Sequence, residues 1–330
     1  MSFRTRTLGQ SSPRRQKKRV SFSLRRIPVL WGRTQNGGTN KKQLMIRGGA
    51  VAVVIGICYM LLTWFTLPDI TDPVQLLASQ STVITDRNGV ELYRLFNEED
   101  RTFIPGSSIP QHMKHAVVAI EDKRYYERGC VDMRAVARVV IKLGRAGGGS
   151  TITRQLARNA LNLQQDNRYQ RKVKEFILGC QLESQYEKEE LLDLYLNWIP
   201  FGQNAYGVEQ AAKRYFNTSA ENLSIAQATV LASLPQRPSY FSPYGRHVYT
   251  EVSESVHDAV IDGTITKTSE IPEEDITIGL LGAYAGTGST VLYVGGRTDQ
   301  VLQNMKENEF ITDAERLTAM EQLEVMEFTS

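Results

Sequence analysis

Acidic side chains are missing from residues 1 to 47, a stretch that nevertheless holds 13 of the 39 Lys and Arg. The rest of the 330-residue chain therefore sums to −10, although the whole is +3. That asymmetry excludes an evenly mixed surface and marks residues 1–47 as a basic tail. Charge is missing a second time over residues 48–67, GGAVAVVIGICYMLLTWFTL. Twenty uncharged positions at about 1.5 Å each span roughly 30 Å of hydrocarbon, so a transmembrane helix is expected there. The run is longer than the apolar region of a cleaved leader, and no small-residue cleavage site follows it, so the helix is expected to remain as an anchor. By the positive-inside rule the tail stays cytoplasmic and residues beyond about 70 lie outside, which makes a single-pass protein of the cytoplasmic (inner) membrane.

Three cysteines are too few for a disulfide scaffold. Cys58 falls inside the span, while Cys130 and Cys180 are both expected outside; the sequence leaves their pairing open, because it does not fix their separation. His112 and His115 are spaced for a metal on one helical face, but no third ligand is near, so a solvent-exposed pair is the preferred reading. No Lys directly precedes Ser150 and Thr151, which excludes a nucleotide P-loop, and no Ser-x-x-Lys or Lys-Thr-Gly signature of a penicillin-binding transpeptidase occurs. The cluster Arg14, Arg15, Lys17, Lys18 and Arg19 lacks interleaved aromatics, so attraction to anionic lipid is preferred to nucleic-acid binding.

Alternating apolar residues over 82–106 flank an Asn88-Gly89 pair and predict a hairpin. A helix is expected from Pro110 to about Asp122 with Met113, Ala116, Val117 and Ile120 on one face, and another over 133–143, ended by the glycines at 147–149. Ser150 or Thr151 then caps a helix TITRQLARNAL, whose free first-turn amides favour an anion. The next helix starts near Tyr169, with Val173, Phe176, Ile177 and Cys180 as its apolar stripe. Its first turns bring Arg171, Lys172 and Glu175 together. Taken alone, that charge cluster reads as a solvated stripe of intrahelical ion pairs. Helices over 188–197, up to Phe216 and over 224–234 follow, making the domain mainly α. Residues 245–294, with eight Asp and Glu against one Lys after Arg246, read as an acidic insertion, and 295–330 returns to helical periodicity.

Five blocks now stand in order: AIEDKRYYE, GGSTITRQLARN, RKVKE, LYLNWIPFGQNAYG, and AAKRYF with LSIAQATVLASLPQRPSYFSP. Together they resemble the family 51 glycosyltransferases, the peptidoglycan transglycosylase module of class A penicillin-binding proteins. The resemblance covers about residues 80–244 and resumes at Gly295, and the tail resembles the segment leading toward a transpeptidase domain, here missing or absent. It implies a mainly α, lysozyme-like domain with a small jaw lobe. It also implies polymerisation of lipid II into β-1,4 glycan strands, with inversion and release of undecaprenyl pyrophosphate.

Residue by residue, Glu121 resembles the catalytic base and Glu175 the second glutamate. Asp122, Ser150, Thr151, Gln155, Arg158, Arg171, Lys172 and Asn197 match substrate-binding positions. The chemistry asks for a base on the incoming 4-hydroxyl and for cations on the departing diphosphate, roles that suit Glu121 and the set Arg158, Arg171 and Lys172. No cofactor is required by the sequence; a divalent cation, Mg or Mn, is an optional helper, and no metal ligands are assigned. Implied partners are lipid II, the growing strand, the cytoplasmic membrane and other cell-wall synthesis proteins. Three positions depart from the family: Arg128 where histidine is usual, Cys130 where glycine is usual, and Arg154 where glutamine is usual. Cys130 puts the loop geometry in question, since glycine tolerates positive φ. The rival readings are a lysozyme-like muramidase, which gains nothing from the cations, and a non-catalytic scaffold, against which both glutamates argue.

Overall fold

Periodic apolar residues dictate most of the architecture of the computed structural model, which describes residues 41–67, 82–87, 91–95, 100–131, 150–288 and 290–329. The chain divides into a unit ending at Ile57 and another from Cys58 onward. Helix α1 (Lys41–Thr66) keeps Leu44, Ile55, Leu62 and Phe65 exposed, and is long and apolar enough to cross a membrane. It begins some residues before the uncharged run because nothing in KKQLMIR breaks a helix. Most of the basic tail lies outside the described residues, as do the Asn88-Gly89 turn, the helix expected over 133–143 and the glycines at 147–149.

Strands β1 (Thr82–Thr85) and β2 (Glu91–Leu95) pair antiparallel, and β3 (Asp100–Arg101) pairs parallel with β4 (Ala205–Tyr206). Helix α2 (Gln111–Glu121) starts directly after Pro110, whose fixed φ suits a helix entry, and buries Met113, Ala116 and Val117. Helix α3 (Ile152–Ala160) is capped by Thr151, whose hydroxyl accepts from the Arg154 amide at 3.3 Å. Helices α4 (Arg168–Gln185) and α5 (Lys188–Trp198) pack against α3 or each other, and α6 (Val208–Phe216) and α7 (Ile225–Ser233) follow. Helices α9 (Arg297–Glu307) and α10 (Asp313–Glu324) close the helical layer, with α2 packed on α7 and α9. One core runs through Met113, Val117, Leu156, Leu178, Leu192, Leu231 and Leu302, each worth about 2 kcal/mol of burial.

A second, smaller apolar cluster lies within the unit that begins at Cys58. Helix α8 (Glu254–Ile261) packs on the hairpin of β7 (Ala283–Thr287) and β8 (Thr290–Val294), burying Val256, Val260, Ile271, Ala285 and Val294. Strands β5 (Glu251–Val252) and β6 (Ile276–Thr277) pair beside it.

Two expectations are corrected. His112 and His115 are not an exposed pair: the first contacts the Leu223 carbonyl at 2.6 Å and the second stacks on Phe310 at 4.2 Å, because α2 is covered on both flanks. Cys130 does not need glycine's conformational range, since it is not among the positive-φ residues. It is joined instead to Cys180 by a disulfide with Cα atoms 4.9 Å apart, settling the pairing that the sequence left open. The bridge closes a loop of 50 residues, whose entropy accounts for about 4 kcal/mol in the chain-entropy limit. Mass spectrometry without reductant is expected to recover a linked Cys130 and Cys180 peptide pair. Cys180→Ala is expected to cost about 2–4 kcal/mol in a denaturant melt.

Candidate active site

Glu121 is the last residue of α2, so its side chain leaves the helix where the backbone turns away at Asp122. One carboxylate oxygen, Oε2, accepts from Gln155 Nε2 at 2.6 Å. The other, Oε1, is shielded from solvent and has no hydrogen-bond partner among the described residues. Gln155 is itself oriented: its Oε1 accepts from the Tyr195 hydroxyl at 3.1 Å, so its Nε2 must point at Glu121. Tyr195 is wholly buried on α5, and burial first, then the charge of Glu121, holds its phenol well above the ordinary pKa. It therefore remains a donor throughout the working range.

The second carboxylate is reached through Ser150. Its carbonyl accepts from Gln155 Nε2 at 3.3 Å and its hydroxyl accepts from Lys172 Nζ at 2.7 Å. Lys172 Nζ also donates to Glu175 Oε2 at 2.7 Å, and Arg171 Nε stands 3.7 Å from Glu175 Oε1. A continuous polar chain thus joins Glu121, Gln155, Ser150, Lys172 and Glu175. The Glu175 side chain is only 1% exposed while Lys172 is 51% exposed, so the cluster is not the solvated stripe it resembles in isolation: the carboxylate is covered where α4 packs against α3, and the cations reach outward. The expected apolar stripe shifts accordingly. Ile177, Leu178 and Leu182 are the buried positions, and Val173, Phe176 and Cys180 are only partly covered. A cleft of about 350 Å³ opens beside the chain, lined among others by Gln155, Arg158, Arg171, Ile199 and Pro200. Two guanidinium groups therefore face one open volume, next to the amide that holds Glu121.

The three departures from the family pattern come together in space. Arg128 Nε donates to both Asp122 oxygens at 3.2 and 3.1 Å, and Arg128 Nη1 donates to Glu183 at 3.2 Å. Burial opposes the Arg128 charge, but its hydrogen bonds to Asp122 and the charges of Asp122 and Glu183 raise its pKa further. Glu183 also accepts from the Thr153 hydroxyl at 2.8 Å and pairs with Lys188 at 2.9 Å. Arg154 lies over the Phe176 ring at 5.0 Å and donates to the Cys130 carbonyl at 3.2 Å. Burial, then the nearby Arg128, lowers the Arg154 pKa. Asp122 is thereby committed to Arg128.

Asn197 is committed to the backbone. It is 1% exposed, donates to the carbonyls of Ile104 and Asp193 at 3.0 and 2.8 Å, and accepts from the Ile104 amide at 2.9 Å. Its own carbonyl accepts from Arg101 at 2.9 Å, and Gly207, at φ 81°, passes so close that a Cβ would sit 2.7 Å from that oxygen. Asn197 fixes the loop that carries Ile199 and Pro200 to the cleft. Two residues escape sequence reasoning. Tyr195 looks like core, and Arg297, at the start of α9, sits far along the chain; its pKa is lowered by burial against the opposing charge of Glu121. Among the described residues no three His, Cys, Asp or Glu side chains converge as a metal cage, and each glutamate spends an oxygen on a protein donor.

The family model described as "Transglycosylase" matches residues 88–263, more than half of the chain. The chain is 34% identical over 220 residues to penicillin-binding protein 1F of Bacillus subtilis, covering 64% of this chain and 30% of that protein. It is 32% identical over 259 residues to penicillin-binding protein 2a of Streptococcus pneumoniae, covering 76% and 34%. The chain thus spans about a third of the length of these relatives. A crystal structure of penicillin-binding protein 1A from Haemophilus influenzae is 18% identical, covering 77% of this chain and 22% of its own, with a TM-score of 0.35, too low to bear on the fold. The extent of the matched domain, which holds both glutamates and the cations around them, shows that the chain belongs to the transglycosylase family.

Proposed function

We propose that this chain polymerises lipid II into β-1,4 glycan strands, with inversion at the sugar and release of undecaprenyl pyrophosphate. The observation that carries the reading is the polar chain from Glu121 to Glu175, with one carboxylate oxygen free at its acceptor end and cations at the other. Glu121 Oε1 takes the proton of the incoming 4-hydroxyl as that oxygen attacks the anomeric carbon. The bond to the diphosphate breaks on the opposite face, and its electron pair leaves with the diphosphate. Arg158, Arg171 and Lys172 meet the charge that develops there, preorganised by Glu175 and Ser150. Gln155, held by Tyr195, keeps the base in place. A muramidase has no departing diphosphate and no use for these cations.

The apolar α1 and a polyprenyl-linked substrate support work at a bilayer surface. The basic tail supports a cytoplasmic N-terminus and an outward-facing domain in the cytoplasmic membrane. Other cell-wall synthesis proteins are the expected partners. A divalent cation, where one takes part, would share with Arg158, Arg171 and Lys172 the charge of the departing diphosphate.

Labelled lipid II resolved as glycan ladders on a gel tests the activity; no ladder from the wild-type chain would refute it. Glu121→Gln is expected to lower turnover about 10²–10⁴-fold while binding of the phosphoglycolipid inhibitor moenomycin persists. Arg158→Ala and Lys172→Ala are each expected to weaken that inhibitor about tenfold, since its phosphate would lose a charged partner; unchanged affinity would count against the cation site. Tyr195→Phe is expected to lower kcat about tenfold at constant KM, and to add nothing to Gln155→Ala in a double-mutant cycle. Additive losses would show that the hydroxyl does not act through Gln155.

A further inference from the structure

A second cavity, about 330 Å³, lies apart from the glycosyltransfer residues, where the β7–β8 hairpin meets α9 and α10. Tyr249, Tyr284 and Tyr293 line it, together with Thr298, Leu323 and Glu324. From this arrangement we infer that the cavity is a binding site for an alkylammonium group.

The ring positions are fixed from behind. Tyr293 donates its hydroxyl to both oxygens of Asp299 at 3.0 and 3.1 Å, and Tyr284 donates to Glu324 Oε1 at 2.8 Å. The two rings stand 5.1 Å apart at 59°, which makes them two walls of a corner rather than a stack. A phenol that donates to a carboxylate is polarised toward its ring, and the enriched face attracts a cation more strongly. Burial and the Asp299 charge push the Tyr293 phenol up, so the donor persists. Gly282 is part of the construction: a Cβ there would sit 2.2 Å from the Tyr293 hydroxyl oxygen, so only a residue without a side chain lets that ring lie across the cavity.

Charge selects the ligand. Residues 246–294 hold eight Asp and Glu against Arg246 and Lys267, and among the described residues no Lys or Arg lines the cavity. Glu324 is the one charged side chain among the lining residues, so a cation is favoured there over an anion. Tyr249 and Tyr284 are 60% and 52% exposed, so two large rings stand in water unless something covers them. Aromatic walls with a carboxylate at the rim are the chemistry that retains an ammonium group, whether primary, as on a peptide side chain, or quaternary, as on a lipid head.

Ring signals of ¹³C-labelled tyrosine in the full chain test this, with tetramethylammonium chloride, n-butylammonium chloride and sodium chloride titrated at equal ionic strength. Saturable shifts in the millimolar range with either organic cation and none with sodium are expected; the tighter of the two identifies the source. Tyr284→Ala is expected to weaken binding about tenfold and Glu324→Gln about threefold, with Tyr249→Ala as a further exposed variant that leaves the fold intact. Equal responses to all three salts, unchanged binding in every variant, or saturation by N-acetylglucosamine without response to the cations would each overturn the assignment.

Discussion

A carboxylate withdrawn from water must be held by donors, and a carboxylate that is to accept a proton must keep one oxygen free of them. Those demands conflict, and the helical domain resolves the conflict with a neutral amide. Gln155 gives Glu121 one hydrogen bond and no charge, and the buried Tyr195 fixes which end of the amide faces it. A lysine in place of Gln155 would set an opposite charge beside the Glu121 carboxylate. The cations are held one step away, on α4, where Lys172 meets Glu175 and Ser150. Charge separation along a single polar chain is thus a packing outcome: α3 supplies the spacer, α2 and α4 supply the ends, and α5 supplies the tyrosine that orients the spacer.

The substitutions at Arg128, Cys130 and Arg154 make sense as one unit. Arg128 gathers Asp122 and Glu183, two acids that would otherwise repel each other beside the base. Arg154 cannot share that site without cost and turns away, to the Phe176 face and the Cys130 carbonyl. The disulfide then ties the segment after Glu121 to α4. Asp122 and Glu183 compensate the Arg128 charge, while the Phe176 ring and the Cys130 carbonyl receive Arg154.

Much of this was legible in the sequence where the signal is local. The α2 start after Pro110, the Thr151 hydroxyl before α3 and the long uncharged run follow from neighbours within a few positions. The blocks that carry Glu121, Gln155 and Lys172 all fall within the matched domain. What failed were judgements about exposure and partnership. Glu175 reads as solvated until α3 covers it; the histidines of α2 read as exposed until Leu223 and Phe310 arrive from later in the chain. Each depends on which distant segment packs there, and periodicity is silent on that.

The Cys130–Cys180 bridge carries a meaning beyond fastening. Disulfides persist in oxidising compartments and are reduced in the cytosol. In a reducing compartment both thiols would be free, and the covalent strap between the segment after Glu121 and α4 would be lost. The cross-link therefore fits a domain that folds where thiols are oxidised, in keeping with the outward placement we propose.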